Sequence, residues 1–150
     1  MDPRGRKPPG RGGASRTRVK PPVVLVVDDF ADNREMYSEY LEHVGFRVLE
    51  ARDGAEAIEI ARSERPAVVL MDLSIPVIDG WEATRLLKTD EATSQIVVIV
   101  LTGHAEPGSR ARALAAGCDA FLTKPCFPVD VAREIQRCLA ASGMTAARKS

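Results

Sequence analysis

Three short apolar runs constrain this chain more than any other feature. Val23–Asp28, Ala67–Asp72 and Ile96–Leu101 each hold five or six consecutive apolar residues. A run of that length is far below the roughly 18 residues that cross a membrane. It suits a strand buried on both faces, which needs helices above and below it. The intervening segments supply them. Arg34–Val44 sets Met36, Tyr37, Tyr40, Leu41 and Val44 on one helical stripe that Gly45 stops. Asp53-x-x-Glu56 reads as a capping box opening a helix to about Ser63. Asp79-x-x-Glu82 reads as a second, with Ala83, Leu86 and Leu87 facing inward. Pro107 suits the first turn of a helix ending near Gly117. Pro128 starts a last helix with Val131, Ile135, Cys138 and Leu139 on its core face.

The mixed segments Phe46–Ala51 and Ala120–Thr123 complete a strand–helix alternation repeated five times. That alternation predicts an α/β, doubly wound, five-stranded parallel sheet with five helices, in the flavodoxin-like order 2-1-3-4-5. The three apolar runs belong in the middle and the two mixed strands at the edges. A chain of 150 residues, 45% hydrophobic, fits one such domain. The pattern places it over residues 22–141, between a tail at 1–21 and a C-terminal tail at 142–150.

The formal charge of zero conceals a division. Residues 1–20 carry seven Lys/Arg and one acid, a net of +6, and the remaining 130 residues carry 14 basic and 20 acidic residues, a net of −6. The first segment is rich in Pro, Gly and Arg and poor in apolar side chains, so it is expected to be disordered. Its lack of an apolar centre excludes a signal peptide. Nucleic acid is not an expected partner of the acidic body, which leaves the basic segment as the one part suited to it. Cys118, Cys126 and Cys138 are odd in number and lack metal-ligand spacing, which fits a cytoplasmic protein with reduced thiols.

In doubly wound sheets, ligands bind outside the carboxyl ends of the strands. Here those ends read Asp28-Asp29, Asp72, Thr102 and Lys124. A single acid after a strand is commonly a helix cap, and Asp53 and Asp79 fit that role. Asp28, Asp29 and Asp72 differ because they should share one crevice. Two carboxylates about 5 Å apart repel by roughly 3 kcal/mol at an effective dielectric of about 20. Lys124 offers one compensating charge, and a hard cation such as Mg²⁺ offers two more. With such a cation, phosphoryl transfer needs mainly positioning and charge neutralisation. Asp72, on the central strand, is the candidate nucleophile for an aspartyl phosphate. Asp28 and Asp29 are the candidate metal ligands, and Thr102 and Lys124 would each take a phosphoryl oxygen.

The motifs "VVDD" at 26–29, "MDLSIPVIDG" at 71–80, the strand-terminal Thr102 and "LTKPC" at 122–126 resemble the receiver domain of two-component response regulators, of the kind found in the chemotaxis response regulator. The resemblance covers residues 22–141. It implies that Asp72 accepts phosphate from a histidine kinase or histidine phosphotransfer protein. It implies direct Mg²⁺ ligation by Asp29 and Asp72, contact from Asp28 through water, and a further ligand in the Ser74 backbone carbonyl. It also implies a Lys124–phosphoryl pair, a cis peptide before Pro125, and a switch in which Thr102 moves toward the phosphoryl group while Phe121 turns inward. Ser74 and His104 stand two residues past Asp72 and Thr102, where side chains tune phosphoryl lifetime.

Three residues depart from the family pattern: Phe121 replaces tyrosine, Cys126 replaces phenylalanine and Gly103 replaces alanine. The resulting expectation is a single-domain signalling relay, monomeric or weakly dimeric, that switches a face for an unknown downstream protein. It is no turnover enzyme beyond accepting and losing its own phosphoryl group. The 26 residues after Lys124 leave room for one helix and no output domain. A phosphorylation-independent adaptor and a fragment of a longer regulator remain as alternatives. A P-loop ATPase is excluded because no G-x-x-x-x-G-K-[ST] occurs. A dehalogenase-type phosphatase needs two acids separated by one residue, whereas Asp28 and Asp29 are adjacent.

Overall fold

The computed structural model describes residues 20–103 and 106–142. His104, most of the basic segment and residues 143–150 lie outside the described residues. Five strands alternate with five helices: β1 (Val23–Val27), α1 (Ala31–His43), β2 (Arg47–Ala51), α2 (Gly54–Glu64), β3 (Val68–Asp72), α3 (Gly80–Thr89), β4 (Val97–Thr102), α4 (Ser109–Ala115), β5 (Ala120–Thr123) and α5 (Pro128–Ser142). All strand pairs are parallel and the order is β2-β1-β3-β4-β5, as the alternation predicts. The apolar runs form the three central strands. The mixed strands β2 and β5 form the edges, where fewer positions need to be apolar. Among the described residues, no helix is long and apolar enough to cross a membrane.

Because strand side chains alternate, the sheet divides the core into two layers. Val24, Val26, Val68, Leu70, Val97, Ile99 and Leu101 pack with Tyr37 and Leu41 of α1 and Val131, Ile135 and Leu139 of α5. Leu25, Val27, Val69, Met71, Val98, Val100 and Phe121 pack with α2, α3 and Ala113 of α4. Asp72 continues the first set of rows, while Thr102 continues the second.

Both expected acidic caps are present: Asp53 Oδ1 accepts from the Glu56 backbone N–H at 2.8 Å, and Asp79 Oδ1 from that of Glu82 at 2.9 Å. Two helices differ from the sequence reading. Helix α1 starts at Ala31, three residues before Arg34, after an N-cap residue, Phe30, that supplies no side-chain hydrogen bond. Its core contacts come from Tyr37, Ser38 and Leu41, leaving Met36 and Val44 at 42% and 39% exposure. Met36 lies about 100° round the helix from Tyr37, and Val44 stands past the last turn, at the C-cap. Helix α4 starts at Ser109, and Pro107 lies in the turn before it. Gly108 separates the two with φ +90°, a left-handed conformation that breaks the helical path.

Candidate functional site

Strand register builds the crevice. Val27 pairs with Met71, so Asp28 and Asp72 stand side by side one residue further on. Asp72 pairs with Leu101, and Thr102 pairs with Thr123, which brings Lys124 to the same edge. Ligand oxygens of Asp28, Asp29 and Asp72 lie within 4.8 Å of one another. Asp28 and Asp72 are buried and Asp29 is exposed. Lys124 Nζ lies 3.2 Å from Asp28 Oδ2 and 3.8 Å from Asp72 Oδ2.

The two buried carboxylates are held differently. Asp28 accepts from the Phe30 N–H through Oδ1 at 2.9 Å and from Lys124 through Oδ2. Asp72 accepts from the Ser74 N–H through Oδ1 at 3.2 Å. Its Oδ2 meets Lys124 only as an ion pair beyond hydrogen-bond distance. Burial pushes the Asp72 carboxyl above its ordinary value, Lys124 and the Ser74 N–H oppose that rise, and the charges of Asp28 and Asp29 add to it. Asp72 therefore carries the less saturated oxygen of the pair.

The loop after β3 is fixed at both ends. The Gly80 N–H donates to the Leu73 carbonyl at 3.1 Å, and the Gly54 N–H at the start of α2 donates to the Pro76 carbonyl at 3.3 Å. Between these ties Val77 has φ +72°, a strained conformation for a β-branched residue. On the far side of the crevice Thr102 is buried, and its carbonyl accepts from the Lys124 N–H at 2.8 Å. Phe121 is buried behind it, and the Lys124–Pro125 peptide is cis.

Sequence reasoning treated Tyr37 as a core residue and gave Arg34 no role beyond opening the helix. Arg34 Nη1 donates to the Asp28 carbonyl at 2.9 Å, and its Nε donates to Glu50 at 2.9 Å, tying α1 to β1 and β2. The Tyr37 hydroxyl donates to the Cys126 carbonyl at 2.8 Å, across 89 residues of chain. Burial, with the charges at Asp28 and Asp72 adding to it, pushes the Tyr37 phenol up to about 12, so it remains a donor at all physiological pH values. No local pattern signals a partner that far away. Tyr37→Phe should cost about 1–2 kcal/mol, because it leaves the Cys126 carbonyl unpaired. Urea unfolding should show this as a lower midpoint at unchanged slope.

The chain belongs to the response regulator receiver domain family of two-component systems, whose family model matches residues 24–136. The polar-differentiation response regulator DivK of Brucella anthropi is 35% identical over 105 residues, covering 70% of this chain and 85% of that protein. The chemotaxis protein CheY4 of Vibrio cholerae superposes with a TM-score of 0.75 at 30% identity, covering 79% of this chain and 99% of that one. The receiver domain of the sensor histidine kinase PA1611 of Pseudomonas aeruginosa superposes with a TM-score of 0.74 at 32% identity, covering 80% and 98%. That crystal structure has a magnesium ion coordinated in its active-site cleft.

Proposed function

We propose that this receiver takes a phosphoryl group on Asp72 from a histidine kinase or a histidine phosphotransfer protein. The observation that carries this reading is the asymmetry between the two buried acids: Asp28 has both oxygens hydrogen-bonded, while Asp72 Oδ2 is engaged only by an ion pair at 3.8 Å. Asp72 Oδ2 attacks the phosphorus of a phosphohistidine, the new O–P bond forms, the N–P bond breaks, and the imidazole leaves with the bonding pair and takes up a proton. Lys124 takes one phosphoryl oxygen and the Thr102 hydroxyl another. Thr102 thereby leaves its resting position, and Phe121 fills the space behind it. Water later attacks the phosphorus and restores the carboxylate, with Ser74 and His104 setting how quickly.

The donor set fits Mg²⁺. It consists of three hard carboxylate oxygens with no His or Cys among them. The ligand atoms lie within 4.8 Å of one another, close enough to share one ion, which Asp28 would contact through water. Asp29, Asp72 and the Ser74 carbonyl would complete the protein ligands. The ion, when bound, neutralises charge that builds on the phosphoryl oxygens. At 100 times its Kd, Mg²⁺ should stabilise the fold by about 2.7 kcal/mol. Differential scanning calorimetry should show that gain in wild type and lose it in Asp29→Ala.

The product is a signal, carried by a cytoplasmic monomer or weak dimer to a downstream protein. The test is incubation with acetyl phosphate and Mg²⁺. One phosphoryl mass per chain, mapped to the peptide containing Asp72, supports the reading; no mass gain, or a gain mapped elsewhere, sinks it.

A further inference from the structure

Helix α4 is weakly anchored. It has seven residues, and of these only Ser109 and Ala113 are buried, while Leu114 is half exposed. Little apolar burial fixes its position on the sheet. Two arginines moor it instead, one on each side. The Arg110 guanidinium lies 5.4 Å from the centre of the Phe121 ring of β5. The Arg112 guanidinium lies 4.2 Å from the Trp81 ring of α3, a close cation–π stack. Beneath that stack is a cavity of about 320 Å³, lined by Ser74, Trp81, Thr102, Glu106, Ser109 and Arg112. Two of those residues, Ser74 and Thr102, also flank Asp72. The Arg112–Trp81 contact and the position of Thr102 therefore share one space.

We propose that Arg112 is a positioning residue for the phosphoryl site: its stack on Trp81 holds α4 in the arrangement that keeps the cavity beside Thr102 open. The inference rests on the reading of Asp72 as phosphoryl acceptor. Drawing Thr102 toward Asp72 removes part of the cavity wall. An open cavity without its wall loses packing contacts, so α4 closes on it and the stack breaks. The stack thus favours one of two arrangements, and a phosphoryl group favours the other. Weakening the stack must then strengthen binding of a phosphoryl mimic by the same factor.

The test is calorimetric titration of the full chain with beryllofluoride and Mg²⁺. Arg112→Met should tighten beryllofluoride binding roughly two- to fivefold, the factor corresponding to one exposed cation–π contact. Trp81→Leu should give a similar gain, and the double variant no more than either single. Arg112→Lys, which retains a cation over the ring, should bind close to wild type. Trp81 is the chain's one tryptophan, so its emission is a second readout. It should shift when wild type is saturated and shift less on saturation of Arg112→Met, where there is no stack to break. Unchanged or weaker binding by Arg112→Met, or gains that add in the double variant, would overturn the proposal while leaving Asp72 as acceptor. No beryllofluoride binding by wild type, or equal binding by Asp72→Asn, would overturn both.

Discussion

Asp72→Asn should take up no phosphoryl group from acetyl phosphate, while its fold stays at least as stable as wild type. The first half follows from the lost nucleophile, since the amide lacks the anionic oxygen that forms the O–P bond. The second half follows from burial. The Asp72 carboxyl sits above its ordinary value chiefly because it is desolvated. A raised value means that the native state binds this proton more tightly than the unfolded chain. The ionised group therefore weakens folding once the pH exceeds the unfolded value, and an uncharged isostere removes that penalty. The Lys124 ion pair at 3.8 Å is too loose to reverse the sign. Mass spectrometry and a thermal melt at neutral pH, run on the same preparation, measure both halves. Wild-type levels of phosphoryl uptake by the variant would remove Asp72 from its role.

Gly80→Ala should damage fold and site together. A Cβ at this position would stand 2.5 Å from the Asp72 carbonyl oxygen and 2.5 Å from Leu73 Cα. Both are backbone atoms, so no side-chain rotation relieves the contact. Either α3 backs away from the sheet or the end of β3 moves, and the second displaces Asp72 from Asp28 and Lys124. Overpacking of this kind costs typically 1–3 kcal/mol, and a backbone clash belongs at the upper end. Phosphoryl uptake should fall at least tenfold in molecules that still fold, because positioning supplies most of the catalysis. Gly103→Ala is the control: among the described residues its nearest neighbour is a Lys124 side-chain carbon at 3.8 Å, ordinary van der Waals contact. That variant should melt within about 0.5 kcal/mol of wild type.

The legible parts of this molecule share a physical cause. A central parallel strand must be apolar on both faces, so β1, β3 and β4 appear as unbroken runs, and the first polar residue marks where each run leaves the core. This is why Asp28, Asp72 and Thr102 were readable as neighbours. Helices α2 and α3 were readable at their starts because Asp53 and Asp79 cap them with their own side chains. The start of α1 was not, because Phe30 offers no capping group and Ala31 precedes the apolar stripe. The turn into α4 was misplaced because Pro107 suits a first helical turn as well as it suits the bend before one. The long-range contacts were hidden entirely. Tyr37 with Cys126, Arg34 with Asp28 and Glu50, and Arg112 with Trp81 depend on how helices are laid across the sheet, which no spacing along the chain encodes.

The parity of the strands gives the sheet a further role. Asp72 falls on rows that face α1 and α5, whereas Thr102 and Phe121 fall on rows that face α2, α3 and α4. Under the proposed role of Asp72, chemistry done in one compartment of the molecule would be registered in the other. With a two-sided wall of aliphatic side chains between the compartments, such a message would cross at the rim, between adjacent strand tips.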